Sequence, residues 1–273
     1  MSRESLQPFD RVDLFRQEVE AFTAAARRAL PDAPQVPSCP DWSVADLVLH
    51  LAGVHRTVAR LIEQRMDALP DPSTMAGQLP RDMAGWPDPA KAPSYGPMPE
   101  SLLEWFGEGA RRLAEVFRTT DPATEVWTYG ADRTVAFWVR VQTIEVALHR
   151  WDAELAVGTP GAIDPALAAD AVAQTFEVMV PFRRAMTQAP PGAGETYRFR
   201  RTDGPESWTV RFDGPDLHVH GTSPDAGEGV DVELAGTAEQ LMLYLWHRTP
   251  ADTLAVTGDR TVLERYFTLA PPV

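Results

Sequence analysis

The chain has 273 residues, a 44% apolar fraction and a single cysteine, which allow one or two cores and exclude an internal disulfide framework. Its net charge of −14 disfavours nucleic acid and anionic membrane surfaces as partners, because both select basic patches. The opening segment lacks a signal-peptide pattern, and no apolar run approaches the roughly 18 residues of a membrane span. Lys91 is the only lysine among 25 basic residues, a bias that suggests a GC-rich bacterial genome. We therefore expect a cytoplasmic protein with small-molecule partners, as a monomer or weak homodimer.

The N-terminal part of the chain shows the apolar spacing of amphipathic helices. The pattern predicts five helices, over residues 9–30, 43–65, 99–120, 135–157 and 165–186. Mostly short links between them favour a helix bundle, a fold whose interior often holds metal sites. Residues 66–98, which include Met75, break the pattern with repeated prolines. This segment is either a passive surface loop or a lid over a pocket.

The second predicted helix carries two histidines on different edges of its apolar stripe. Ser43 and Asp46 match a capping box at its start. His50 lies on one edge, and His55 lies on the opposite edge beside Arg56. We expect His50 to be the more inward-facing of the two. By itself it is either a hydrogen-bonded core histidine or a ligand.

The fourth predicted helix contains a carboxylate and an imidazole four residues apart. Glu145 and His149 therefore share a helical face, and Asp152 extends their polar stripe between apolar flanks. A carboxylate buried among apolar side chains needs a cation or strong donors. Two interpretations remain open: a solvent-facing glutamate beside a core histidine, or a metal site with a third ligand from another segment. His50 is the candidate for that third ligand.

The pattern changes after a Pro- and Gly-rich linker near residue 190. From Tyr197 onward, short alternating segments separated by DG or GP turns predict a small antiparallel sheet. Two amphipathic helical stretches follow, and Pro181 is expected to kink or end the helix before the linker. We therefore predict an α-helical bundle of four to five helices over residues 1–188, followed by a small α+β domain over 193–273.

Two motifs resemble the signatures of the mycothiol-dependent maleylpyruvate isomerase family. They are SCPDWSV at 38–44, which leads to His50, and EVALHRWDAE at 145–154. Later segments, GTAE at 236–239 and LWHR at 245–248, are similar to the C-terminal α+β domain of the family. The resemblance spans nearly the whole chain and implies a DinB-like bundle. Family members often have a polar residue at the position of Ile144, but this difference removes no ligand.

The resemblance implies a metal site and a thiol cofactor. His50, Glu145 and His149 correspond to the family's ligands of a divalent metal, expected to be zinc, and mycothiol would supply the thiol. The implied chemistry is attack of a metal-bound mycothiol thiolate on a small electrophile. In maleylpyruvate-type cis–trans isomerisation the thiol would add to the double bond, allow rotation and leave. In an S-transferase of detoxification or biosynthesis it would remain on the product.

Further residues are assigned roles from their positions in the chain and their chemistry. We expect Glu145 to take part in catalysis, and Asp152 to act from outside the ligand shell. Arg150 and Arg248 are candidates for binding the cofactor or a dicarboxylate substrate, because a guanidinium is the suitable bidentate partner of a carboxylate. A non-catalytic protein that binds or carries a metal or a small thiol is the remaining alternative. A closed fourth coordination position would mark that alternative, since a catalytic site keeps it open.

Overall fold

The computed structural model of the protein describes residues 8–71, 79–221 and 229–272. The opening segment 1–7, and the part of the proline-rich segment that contains Met75, lie outside the described residues. The chain divides into two compact units, Met1–Ala162 and Ile163–Val273. Among the described residues, no helix combines the length and the apolar character needed to cross a membrane.

The first unit is built from long helices whose bounds agree with the predicted ones to within two residues. They are α1 (Pro8–Arg28), α2 (Val44–Glu63), α3 (Glu100–Thr119) and α4 (Val135–Val157). A short antiparallel hairpin, β1 (Gln35–Val36) and β2 (Cys39–Ser43), leads directly into α2. Helix α1 packs against α4, and α2 packs against α3 and α4.

The predicted capping box starts α2. The Ser43 hydroxyl accepts a hydrogen bond from the backbone N–H of Asp46 at 3.3 Å, and the Asp46 carboxylate accepts one from the Ser43 N–H at 2.8 Å. These bonds satisfy donors that a helix N-terminus otherwise leaves unpaired. The same carboxylate also accepts from the backbone N–H of Ser94 at 2.8 Å, which ties the proline-rich segment to the start of α2.

The two histidines of α2 differ in burial, and in the opposite sense to the prediction. His55 is 0% exposed, with its ring 5.3 Å from that of Phe15 and 5.5 Å from that of Phe106. The His50 side chain is 31% exposed. The expectation that His50 is the more inward-facing is therefore wrong. Because α2 contacts α1 as well as α3 and α4, its buried surface is wider than the apolar stripe indicates.

The second unit contains a five-stranded sheet in the order β5-β4-β3-β6-β7. Its strands are β3 (Gly192–Arg201), β4 (Ser207–Gly214), β5 (Asp216–Gly221), β6 (Val232–Gly236) and β7 (Ala255–Gly258). The predicted antiparallel sheet is wrong for one pair, because β6 runs parallel to β3, with Val232 opposite Tyr197. This follows from the β3-β4-β5 meander, after which the chain returns to the free side of β3. The four-residue β7 was not predicted.

Two helices, α7 (Ala238–Leu245) and α8 (Arg260–Leu269), complete the α+β unit. Tyr266 of α8 is 1% exposed, and its ring lies 5.1 Å from that of Tyr197 and 5.4 Å from that of Phe199. Phe212 of β4 joins the same cluster. These aromatic side chains form the centre of the core and hold α8 on the sheet.

The fifth predicted helix is interrupted. It consists of α5 (Pro165–Gln174), a π-helical turn (Thr175–Met179) and α6 (Val180–Thr187). Pro181 comes just after the π-helical turn. In a regular helix, proline cannot donate to the carbonyl four residues earlier and its ring clashes with that carbonyl, and the wider π-helical turn avoids this clash. Helix α5 packs against α7, so this region groups with the second unit. The division at 162/163 thus precedes the predicted boundary at 188–193.

Candidate metal centre

Helices α2 and α4 bring the three predicted donors together. One potential ligand atom from each of His50, Glu145 and His149 lies within 4.8 Å of the other two. Nε2 of His50 is 3.0 Å from Oε1 of Glu145. Two donors about 2.0–2.1 Å from a tetrahedral zinc ion are roughly 3.3 Å apart, so this pair is already close to the spacing that such an ion requires.

The Glu145 carboxylate is oriented by contacts at both oxygens. Gln142, one helical turn earlier, donates from Nε2 to Oε2 at 2.5 Å, while His50 contacts Oε1. Burial acts to raise the pKa of Glu145, but the hydrogen bond with His50 and the charges of the nearby histidines outweigh it and lower the pKa below its usual value. Glu145 is therefore ionised at neutral pH, as a metal ligand must be.

The His149 ring is oriented from its other side by Asp152. Asp152 is 0% exposed, and its Oδ2 lies 2.9 Å from Nδ1 of His149. A carboxylate acceptor at Nδ1 favours the tautomer with the proton there, which leaves the lone pair of Nε2 for a metal. The Ser38 hydroxyl donates to Oδ1 of Asp152 at 2.6 Å, and the Cys39 thiol lies 3.9 Å from Oδ2.

An indole covers one side of the two imidazoles. The Trp42 ring centroid is 4.9 Å from that of His50 and 6.3 Å from that of His149, and the planes of Trp42 and His149 are inclined by only 25°. In the sequence, Ser38 and Trp42 are recognisable only as members of a family motif. The signal that could have pointed to Ser38 is the buried Asp152, because a buried carboxylate needs hydrogen-bond donors from somewhere.

The two arginines assigned to binding lie in different environments. Arg150 is 4% exposed and donates to Glu18 at 2.7 Å and to Glu154 at 2.8 Å. It also donates to the carbonyls of Gly161 and Ala162. Arg248 belongs to the second unit, where it donates to the carbonyl of Trp246. Asp152 therefore lies against the proposed metal ligand His149. The Arg150 guanidinium, in contrast, is directed towards Glu18 and Glu154. Cofactor binding by either arginine stays a prediction.

The residues present fit a divalent ion. Two imidazoles and a carboxylate form the His2Glu donor set found in zinc sites with an open fourth position. Within the described ranges, no fourth His, Cys, Asp or Glu joins the cluster. Fold and site together define a class of protein: a helix bundle with a His2Glu candidate metal site, followed in the chain by an α+β unit.

Comparison with known proteins gives the family. The family model described as the mycothiol maleylpyruvate isomerase N-terminal domain matches residues 8–154, and the model for the C-terminal domain of the same family matches residues 166–265. The chain therefore belongs to the mycothiol maleylpyruvate isomerase family, which confirms the resemblance seen in the two motifs.

Solved structures agree on the fold. A crystal structure of the mycothiol-dependent maleylpyruvate isomerase is 16% identical, with a TM-score of 0.62. A crystal structure of a histidine-to-alanine mutant of that enzyme is also 16% identical, with a TM-score of 0.63. In both cases the match covers 94% of this chain and 95% of the other chain. A comparison with curated protein sequences finds no match.

Proposed function

We propose that this protein is a metal-dependent enzyme that uses mycothiol to act on a small electrophile, with maleylpyruvate-type cis–trans isomerisation as the leading reaction. The observation that carries the proposal is the convergence of His50, Glu145 and His149 in a chain of this family. Mycothiol as the thiol is supported by the family and by the names of the similar structures.

The coordination shell favours catalysis over a structural ion. Structural zinc sites are typically closed by four protein ligands, whereas this cluster offers three among the described residues. The side chains of His50 and Glu145 are 31% and 21% exposed, so a small molecule can approach the site. A closed site, the mark of the non-catalytic alternative, requires a fourth protein ligand, and none is found in the part of the chain that the structure describes.

The side chains of this protein would have distinct tasks. His50, Glu145 and His149 would hold the ion. When bound, a divalent ion, expected to be zinc, would stabilise the thiolate form of mycothiol, which is the nucleophilic form of a thiol. Asp152 would keep a proton on Nδ1 of His149, and Trp42 would exclude water from one side of the imidazoles. Glu145 would therefore contribute to catalysis through the ion that it binds.

The first experiment tests the two components of the site. The native protein would be purified without chelators, its metal content measured, and any retained thiol identified by mass spectrometry. We expect about one divalent ion per chain, because the described residues offer one three-donor cluster. Glu145→Ala should lose the ion, whereas Glu104→Ala, at an exposed glutamate of α3, should retain it. Absence of metal from protein reconstituted with zinc would contradict the proposal.

The second experiment tests the reaction class. Metal-loaded protein would receive substoichiometric mycothiol and a panel of cis-enoyl and other electrophiles, and both thiol and product would be followed. Isomerisation returns the thiol at every turnover, so many products per thiol are expected. Loss of one thiol per product would assign an S-transferase instead. Activity that survives Glu145→Ala, or that requires neither metal nor thiol, would contradict both reactions.

A further inference from the structure

A serine far away in sequence holds the carboxylate that contacts His149. Ser38 lies between β1 and β2, and its hydroxyl donates to Oδ1 of Asp152 at 2.6 Å across a separation of 114 residues. Asp152 is 0% exposed. A hydrogen bond from a hydroxyl to a buried carboxylate is among the stronger ones in proteins, because its acceptor is charged and screening by water is weak.

The loop that carries Ser38 is itself attached to the other ligand-bearing helix. Strand β2 runs directly into α2, and the Ser43–Asp46 capping box fixes this junction. Helix α2 carries His50, whereas α4 carries His149 and Asp152. The bond from Ser38 therefore connects the hairpin that precedes α2 and His50 to Asp152, the carboxylate that orients His149. It adds to the contact of His50 with Glu145 in joining the two ligand-bearing parts of the chain.

We propose that Ser38 is a positioning residue for His149 that acts through Asp152. The two oxygens of Asp152 have different partners: Oδ1 accepts from Ser38, and Oδ2 faces Nδ1 of His149. With Oδ1 held, the carboxylate cannot rotate away from the imidazole, and Nε2 keeps its direction towards the other donors. The Cys39 thiol, at 3.9 Å from Oδ2, is too distant and too weak a donor to replace the hydroxyl. This inference rests on the proposed metal site.

The test is the affinity of the full chain for Co²⁺, whose absorption spectrum reports the geometry of its ligands. Residues that orient metal ligands typically change metal affinity by about 10–100-fold when removed. Ser38→Ala should therefore weaken Co²⁺ binding by about 10-fold and alter the spectrum. Ser38→Thr, which keeps the hydroxyl, should restore both to near wild type. Asp41→Asn, at an exposed residue of β2, is the matched control and should change the affinity by less than about twofold, because an exposed charge is largely screened.

A double-mutant cycle separates positioning from general support of the fold. If Ser38 acts through Asp152, Ser38→Ala should have little further effect on Co²⁺ affinity in an Asp152→Asn background. Additive losses would overturn the inference. If Ser38→Ala fails to fold, Ser38→Cys takes its place. The thiol is a weak donor, so this variant should show an intermediate loss of Co²⁺ affinity.

The outcomes distinguish this inference from the proposed function. A wild-type chain that binds no Co²⁺ or Zn²⁺ would refute the metal site itself. A wild-type chain that binds Co²⁺, together with a Ser38→Ala variant of the same affinity and spectrum, would overturn the role of Ser38 and leave the metal site intact.

Discussion

Nε2 of His50 and Oε1 of Glu145, 95 residues apart in the chain, lie 3.0 Å apart between α2 and α4. Neither side chain could be assigned to a metal from its own segment. Their contact brings an imidazole and an ionised carboxylate within 4.8 Å of a ligand atom of His149, whose Nδ1 faces Asp152.

The first prediction concerns the ligand on α2. His50→Ala removes one of three donors, and the metal content after gel filtration should fall from about one ion per chain to a small fraction, because two protein ligands rarely hold zinc. His220→Ala, at an exposed histidine of β5, is the control and should retain the ion. Full metal content in His50→Ala would show that the ion, if present, is held elsewhere.

The second prediction concerns Asp152. Asp152→Asn keeps the shape of the side chain but removes the charge that favours a proton on Nδ1 of His149. We expect zinc still to bind, with an affinity about 10–100-fold lower, as measured by competition with a chromophoric chelator. An affinity equal to that of the wild type would assign Asp152 a purely structural role in joining α4 to the loop of Ser38.

The third prediction is a loss of stability in mild acid caused by His55. Burial lowers the pKa of His55 to about 3, with Glu145 opposing the shift and His50, Arg56 and His149 adding to it. Below about pH 6.5, His55 binds a proton in the unfolded chain, where its pKa is ordinary, but not in the folded chain, where its pKa is lowered. The contribution of His55 to the free energy of unfolding therefore falls as the pH drops below about 6.5, by up to about 1.4 kcal/mol per pH unit.

His55→Phe provides the comparison for this effect. Phenylalanine keeps a ring against Phe15 and Phe106 and removes two ring nitrogens that lack hydrogen-bond partners among the described residues. Urea unfolding of both proteins between pH 7 and pH 5 should show a steeper loss for the wild type, with a difference of about 1–2 kcal/mol at pH 5. If stability falls equally with pH in the two proteins, His55 binds a proton as readily in the folded chain as in the unfolded chain, and burial does not lower its pKa.

The fourth prediction tests whether Arg150 supports the fold. Arg150→Met leaves the buried Glu18 without its guanidinium partner, so the free energy of unfolding should fall by about 3–5 kcal/mol, with metal content unchanged. Arg118→Met, which breaks an exposed pair with Glu115, is the control and should change stability little. Unchanged stability combined with weaker mycothiol binding would instead support the predicted cofactor role of Arg150.

Local periodicity was sufficient to predict the helices of the first unit and the shared face of Glu145 and His149. Those features depend on residues a few positions apart, and the capping box of Ser43 and Asp46 is equally local. The helix pattern made His50 the candidate third donor, and the family motifs pointed to the same residue. The same local patterns could not show that β6 runs parallel to β3, since strand direction depends on the path of the chain between them.

The amino-acid sequence by itself determined which helices form and which side chains could bind a metal, because helical geometry relates residues three and four apart. Only the tertiary structure decided which donors meet and what supports them. The contact of Ser38 with Asp152 spans 114 residues, that of Arg150 with Glu18 spans 132, and the burial of His55 depends on rings from two other helices. These relationships arise from packing between distant segments, and no short stretch of the chain contains both partners.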